Sequence, residues 1–141
     1  MVHTRAYPER PFVAVSAAIF NNSNEILIIK RAKEPGKGLW SIPGGIVKTG
    51  ETLVEALQRE ISEECGIRVE NHQFNAVYDR ILYDKSGKVN YHYIIINDIC
   101  NTKSNKIVPA SDADDYSWLK SDELDRFKYT NGLKQYLKNL F

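Results

Sequence analysis

A pattern of glycine, arginine and glutamate residues between Gly45 and Ile67 constrains this chain more than any other feature. It reads G-x5-E-x7-R-E-U-x-E-E-x-G-U, where U is a bulky aliphatic residue. Gly45, Glu51 and the run Arg59–Ile67 fill every fixed position. Because most of these positions demand a charge or a glycine, such a match rarely arises by chance.

The second half of the pattern predicts an amphipathic helix over Thr52–Cys65. Thr49 or Glu51 lies near its start, and Gly66 follows its end. At about 100° per residue, the apolar positions form one stripe, and Arg59 falls towards the solvent side. The predicted stripe comprises Leu53, Val54, Leu57, Ile61 and Cys65.

Three carboxylates form a separate row on this helix. Glu60, Glu63 and Glu64 are spaced i, i+3, i+4, which makes them neighbours at the border of the apolar stripe. A solvated acidic face is the ordinary interpretation of such a run. At the edge of a buried stripe, however, the three groups would repel one another, and a divalent cation would relieve them. Carboxylate oxygens favour Mg²⁺ or Mn²⁺.

The pattern from Gly45 to Ile67 resembles the signature of the Nudix hydrolases. The resemblance implies an α+β fold, the Nudix α/β/α sandwich with a mixed sheet. It implies metal ligation by the carbonyl of Gly45 and by the carboxylates of Glu60 and Glu64, with Glu63 often joining them. Glycine at position 45 would also let the backbone approach a ligand closely.

The catalytic set that the resemblance implies is Glu51, Arg59, Glu60 and Glu64. Arg59 would orient the carboxylates by ion pairing, and one glutamate would accept a proton from water. Glu51 has two interpretations that the sequence leaves open. It is either a stabilising charge at the helix start or a contributor to catalysis.

A pyrophosphate linkage carries clustered negative charge, which an acidic site would repel unless metal ions stood between them. Residues and resemblance together predict a metal-dependent hydrolase of nucleoside diphosphates linked to another group, with ADP-ribose as the first candidate. One alternative is a (d)NTP pyrophosphatase that removes damaged nucleotides. The other is a non-catalytic Nudix module that senses a ligand or binds a protein, and the intact glutamates count against it.

Residues outside the pattern bear on the substrate. Arg31, Lys33 and Lys37 would contact phosphates or lie in a solvated loop, and Arg31 is the preferred contact. Trp40 is predicted to belong to the core rather than to stack on a base. The acidic segment Ser111–Leu119 resembles the one before the last strand of Nudix hydrolases. The resemblance implies that an acid there supplies a further ligand, a base or a nucleobase contact, with Asp112 as first choice for substrate binding. A solvated loop is the alternative there, and Asp115 is the second choice.

Strands alternating with few helices predict an α+β domain. The predicted strands are Phe12–Phe20, Glu25–Arg31, Trp40–Pro43, Arg68–Tyr83 (one or two strands), Val89–Cys100 and Tyr116–Leu119. Besides Thr52–Cys65, the predicted helical segments are Ser121–Asp125 and Thr130–Leu140.

Composition limits the partners of the chain. Its 141 residues predict one domain, 1–141, and 19 basic against 18 acidic residues argue against a nucleic acid polymer or a membrane surface as partner. A nucleotide-type small molecule is the expected partner, and the sequence allows a homodimer. Without an apolar stretch at the start, we expect a cytoplasmic protein with two buried thiols, Cys65 and Cys100.

Overall fold

The computed structural model describes residues 5–104, 106–109 and 113–141. It confirms an α+β fold with a mixed sheet. The strands are β1 Phe12–Phe20, β2 Ile26–Arg31, β3 Trp40–Ser41, β4 Gly44–Ile46, β5 Glu70–Tyr83, β6 Val89–Asn101 and β7 Ala113–Leu119. The helices are α1 Leu53–Cys65, a 3-10 helix Ser121–Arg126 and α2 Leu133–Leu140.

The seven strands form one sheet that divides into two branches. Strand β1 runs parallel to β6 over its whole length and antiparallel to β4 near its middle. It pairs with β2 only through Phe20 and Ile26. One branch therefore has the order β4-β1-β6-β5, whereas β2 continues into the other with β3 and β7. A space opens where the branches diverge.

Helices cover the sheet on both faces, which makes the α/β/α sandwich. The burial of strand β2 reflects this arrangement. Four consecutive residues from Ile26 are buried, as expected when both faces of a strand are covered. Ile26 and Ile28 pack in one core with Leu133 and Leu137 of α2. Their neighbours along β2 pack in the other core with α1.

Helix α1 begins one residue later than predicted, and its cap is neither of the residues expected near its start. Thr52 accepts a hydrogen bond from the backbone of Glu55 at 3.1 Å, and Glu55 accepts one from Thr52 N–H at 2.9 Å. This reciprocal box satisfies two free N–H groups. The predicted stripe is wrong at Leu53 and Val54, which are 45% and 49% exposed. The first turn of the helix is therefore exposed rather than packed on the core.

The boundaries of other elements also differ from the predicted ones. The strand predicted from Trp40 is two short strands, β3 and β4, and β7 starts three residues earlier than predicted. Cys65 and Cys100 are buried free thiols, as predicted, and burial raises the pKa of each to about 12. Within the described residues, no helix is both long and apolar enough to cross a bilayer.

Candidate active site

Two glycines bring strand β4 very close to its neighbours. A Cβ added to Gly44 would lie 2.1 Å from the carbonyl oxygen of Val15 in β1. A Cβ added to Gly45 would lie 2.3 Å from Cδ of Glu60 and within 2.6 Å of both its carboxylate oxygens. Only glycine fits at such distances. A carboxylate of α1 therefore lies directly against the backbone of β4.

Two of the three carboxylates in the predicted row are buried at this contact. Glu60 is 9% exposed and Glu64 is 4% exposed. The backbone N–H of Gly44 donates to Oε1 of Glu64 at 3.3 Å, which orients that side chain. Burying a carboxylate is costly unless it is hydrogen-bonded, paired with a cation or bound to a metal. The pair is thus a strong candidate for chemistry.

Arg59 connects the carboxylates to one another. Its Nε and Nη2 donate to the two carboxylate oxygens of Glu51, at 2.6 and 2.9 Å. Its Nη1 donates to Glu60 at 2.8 Å and to Glu63 at 3.3 Å, while Nη2 also reaches the carbonyl of Ile46 at 3.0 Å. The sequence placed Arg59 towards solvent, but the side chain reaches back and is only 20% exposed.

The Glu51 carboxylate is held in its charged form. Arg59 first, and then the backbone N–H of Lys48 at 2.7 Å, lower the pKa of Glu51 from 4.5 to about 2. In return, Glu51 is the largest cause of the raised pKa of Arg59. Glu51 therefore positions the guanidinium, and through it the carboxylates of α1. Its further catalytic role stays a prediction.

Glu63 lies apart from the buried pair. Its side chain is 51% exposed and bonds to Arg59, so repulsion within the row is partly relieved without a metal. Among the residues that the structure describes, no three His, Cys, Asp or Glu side chains converge as a metal site. The donors nevertheless suit a hard cation, because Glu60 and Glu64 are buried oxygen ligands beside the side-chain-free Gly45.

The carboxylates line a cavity of about 900 Å³, to which both branches of the sheet contribute. That volume is within the range of small-molecule sites. Arg31 lines it from the end of β2, and its Nε donates to the carbonyl of Pro35 at 2.6 Å. Lys33 lines it too, whereas Lys37 does not. The structure thus joins Arg31 to the site but leaves Lys37 outside.

The remaining predictions for the substrate site have different outcomes. Trp40 packs edge-on against Phe127 with ring centroids 4.9 Å apart, in the core on the α2 side, as predicted. Asp112 lies outside the described residues. Asp115 is exposed on β7, and its carboxylate accepts a hydrogen bond from the backbone of Tyr116 at 2.8 Å. It does not line the cavity.

Sequence reasoning missed the contribution of the β5–β6 hairpin to the cavity. Consecutive residues 78–82 of β5, Tyr78 and Arg80 among them, line the cavity, and so do alternate residues of β6, beginning with Tyr91 and Tyr93. The rings of Tyr91 and Tyr93 stack with centroids 6.4 Å apart. On β6 the period of two was the available signal, because alternate residues of a strand share one face.

Comparisons with known proteins agree with the fold. The NUDIX domain family model matches residues 10–140. An ADP-ribose pyrophosphatase of Methanocaldococcus jannaschii is 33% identical over 91% of this chain and 74% of its own length. A human 8-oxo-dGDP phosphatase is 41% identical over 47% of this chain but only 20% of its own length. The crystal structure of a MutT NUDIX hydrolase from Burkholderia pseudomallei matches with a TM-score of 0.79 and 28% identity, over 94% of this chain and 100% of that one.

Proposed function

Because the chain belongs to the Nudix hydrolase family, we propose that it hydrolyses the pyrophosphate bond of a nucleoside diphosphate linked to another group, with ADP-ribose as the first candidate. The name of the M. jannaschii relative, which matches over most of both chains, supports this substrate. The carrying observation is the pair of buried carboxylates, Glu60 and Glu64, lining a cavity large enough for a nucleotide.

The proposed metal ligands are the carbonyl of Gly45 and the carboxylates of Glu60 and Glu64. Glu63 would join them only by leaving Arg59. Mg²⁺ or Mn²⁺, when bound, would offset the charge of the diphosphate and make a water nucleophilic near neutral pH. The missing side chain at Gly45 leaves room beside Glu60 that any other residue would fill.

The protein's own groups supply orientation and proton transfer. Glu64 is the proposed proton acceptor, because it is buried and the Gly44 N–H fixes one of its oxygens. Arg59 holds Glu60 in place while Glu51 holds Arg59. Phosphoryl transfer depends mainly on positioning and electrostatics, so such a linked set is a suitable framework.

A second candidate function is hydrolysis of a nucleoside di- or triphosphate with a damaged base. The match to the human 8-oxo-dGDP phosphatase favours it, although that match covers 66 residues. The shared stretch is too short to carry the whole recognition surface. ADP-ribose therefore stays the first candidate.

A substrate panel tests the proposal. Purified protein with Mg²⁺ or Mn²⁺ would be given ADP-ribose, sugar nucleotides, dinucleoside polyphosphates and (d)NTPs including oxidised ones, with products separated and weighed after reaction in ¹⁸O-water. We expect AMP and ribose 5-phosphate from ADP-ribose, with label in a phosphate. Preferred turnover of an oxidised nucleotide would select the second candidate. Inactivity on the whole panel, or label only in a base or a ribose hydroxyl, would overturn the proposal.

A further inference from the structure

Arg80 on β5 lines the cavity, and no described carboxylate forms an ion pair with it. Its Nε is buried and has no hydrogen-bond partner in the described part of the chain. No ion pair joins Arg80 or Arg31 to a described carboxylate. A half-buried guanidinium without an acceptor is costly. In a ligand cavity, such a group indicates that an acceptor arrives with the ligand.

The two arginines come from opposite branches of the sheet and line the same cavity. Burial is the largest cause of the lowered pKa of Arg80, and the charge of Arg31 is the next. Tyr93 on β6 is the register partner of Arg80. Burial raises the pKa of Tyr93, and the charges of Arg5, Arg31 and Arg80 each oppose that rise. Arg5, Arg31 and Arg80 line the cavity together with Tyr93, so its basic groups come from several elements.

None of the described acids that line this cavity forms an ion pair with Arg31 or Arg80. Glu34 accepts a hydrogen bond from the backbone N–H of Lys37 at 2.8 Å, and Asp79 is exposed on β5. Glu60 accepts from Arg59 and Glu64 from Gly44. In the described part of the chain, the cavity therefore carries acidic groups at α1 and a separate basic group, without an ion-pair partner, where the branches face each other.

We propose that Arg80 and Arg31 form an anion subsite that binds phosphate oxygens of the substrate directly, without a metal. A guanidinium donates in a planar fork that matches phosphate oxygens, and it stays charged at any working pH. Arg80 is thereby a substrate-binding residue, distinct from the carboxylates of α1. That the phosphate belongs to a nucleotide rests on the proposed function, whereas the anion subsite does not.

The test measures anion binding in the absence of catalysis. Protein stripped of metal on a chelating resin, in buffer free of chelator, phosphate and sulfate, would be titrated with inorganic pyrophosphate by calorimetry and by thermal melting. Arg80→Gln is the test variant and Arg10→Gln, an exposed arginine outside the cavity, is its matched control. Arg80→Lys, which keeps the charge but loses the fork, is the third variant.

We expect pyrophosphate to bind and to raise the melting temperature of the wild type and Arg10→Gln equally. Arg80→Gln should bind about 10- to 100-fold more weakly, the scale of a lost charge-assisted hydrogen bond, and Arg80→Lys should be intermediate. Without ligand, Arg80→Gln should melt at the same temperature or higher, because an unpaired charge has been removed. A purely structural arginine would give the opposite shift.

Three results would overturn the subsite. They are no binding by the wild type at millimolar pyrophosphate, equal binding by Arg80→Gln, and a lower ligand-free melting temperature for Arg80→Gln with unchanged affinity. Hydrolysis assays separate this inference from the proposed function. If no nucleotide in the panel is cleaved while pyrophosphate binding still depends on Arg80, the proposed function fails and the subsite stands. On a cleaved substrate, Arg80→Gln should raise KM far more than it lowers kcat.

Discussion

Replacing Gly45 with alanine would separate the stability of this fold from its chemistry. The new methyl group would lie 2.3 Å from Cδ of Glu60 and 2.5 and 2.6 Å from its oxygens, about 1 Å inside ordinary contact. These atoms are the free end of a side chain, so the carboxylate can swing aside. Doing so would break or stretch the 2.8 Å hydrogen bond from Arg59.

We therefore expect a small loss of stability and a large loss of activity for Gly45→Ala. Overpacking costs about 1–3 kcal/mol of stability in general. Because the Glu60 side chain can move aside, we expect the loss of stability in Gly45→Ala to be about 1 kcal/mol. For a domain of this size, that is roughly 3–4 °C in melting temperature. A carboxylate displaced by about 1 Å should cost at least ~100-fold in kcat/KM, because catalysis depends on its position.

Two other glycines serve as controls for this prediction. In Gly44→Ala, the methyl group would meet backbone, at 2.1 Å from the carbonyl oxygen of Val15, so the free energy of unfolding should fall by about 3 kcal/mol or more. Gly87 has open space but a φ of +86°, so Gly87→Ala should cost about 1 kcal/mol through backbone strain alone and keep full activity.

Melting curves and steady-state rates on the three variants would decide the matter. Wild-type kcat/KM in Gly45→Ala would show that the position of Glu60 against β4 is unimportant for the reaction. A loss of stability in Gly45→Ala as large as that in Gly44→Ala would show that the Glu60 side chain is rigidly held and cannot move aside. Either result would refute the reasoning.

Three further outcomes follow from the site. Activity should vanish with EDTA and return with Mg²⁺ or Mn²⁺, and full turnover by rigorously metal-stripped protein would exclude the proposed metal role. Glu64→Gln should fold normally yet lose at least ~100-fold in rate, whereas a variant that melts far lower but turns over normally would make Glu64 structural. The folded-state pKa of Glu51, about 2, lies below its ordinary 4.5, so its ion pair stabilises the fold above pH 4.5 and is lost as pH falls towards 2. Glu51→Gln should therefore flatten the acid limb of a stability–pH curve measured with urea, and an unchanged limb would contradict this.

Local chemistry made the carboxylate helix predictable. Its period of 3.6 and its terminal Gly66, in the left-handed conformation at φ 66°, were legible in the sequence. The exposure of Leu53 and Val54 could not be predicted from the sequence, because a helical wheel cannot show which turns of a helix pack against the sheet. The resemblance of its segment makes Asp115 the second choice for the substrate site, yet on β7, which pairs with β2, it is exposed and does not line the cavity.

By itself, the sequence determined the identity and spacing of the reactive groups, because the pattern from Gly45 to Ile67 is local and its charges follow helix geometry. Only the tertiary structure decided which groups are buried and which meet. The packing of β4 on α1 buries Glu60 and Glu64, and the side chain of Arg59 bridges residues that a wheel separates. Arg31 and Arg80, which are 49 positions apart in the sequence, line one cavity between the two branches of the sheet. Contacts of this kind depend on how the strands pair, which no local pattern encodes.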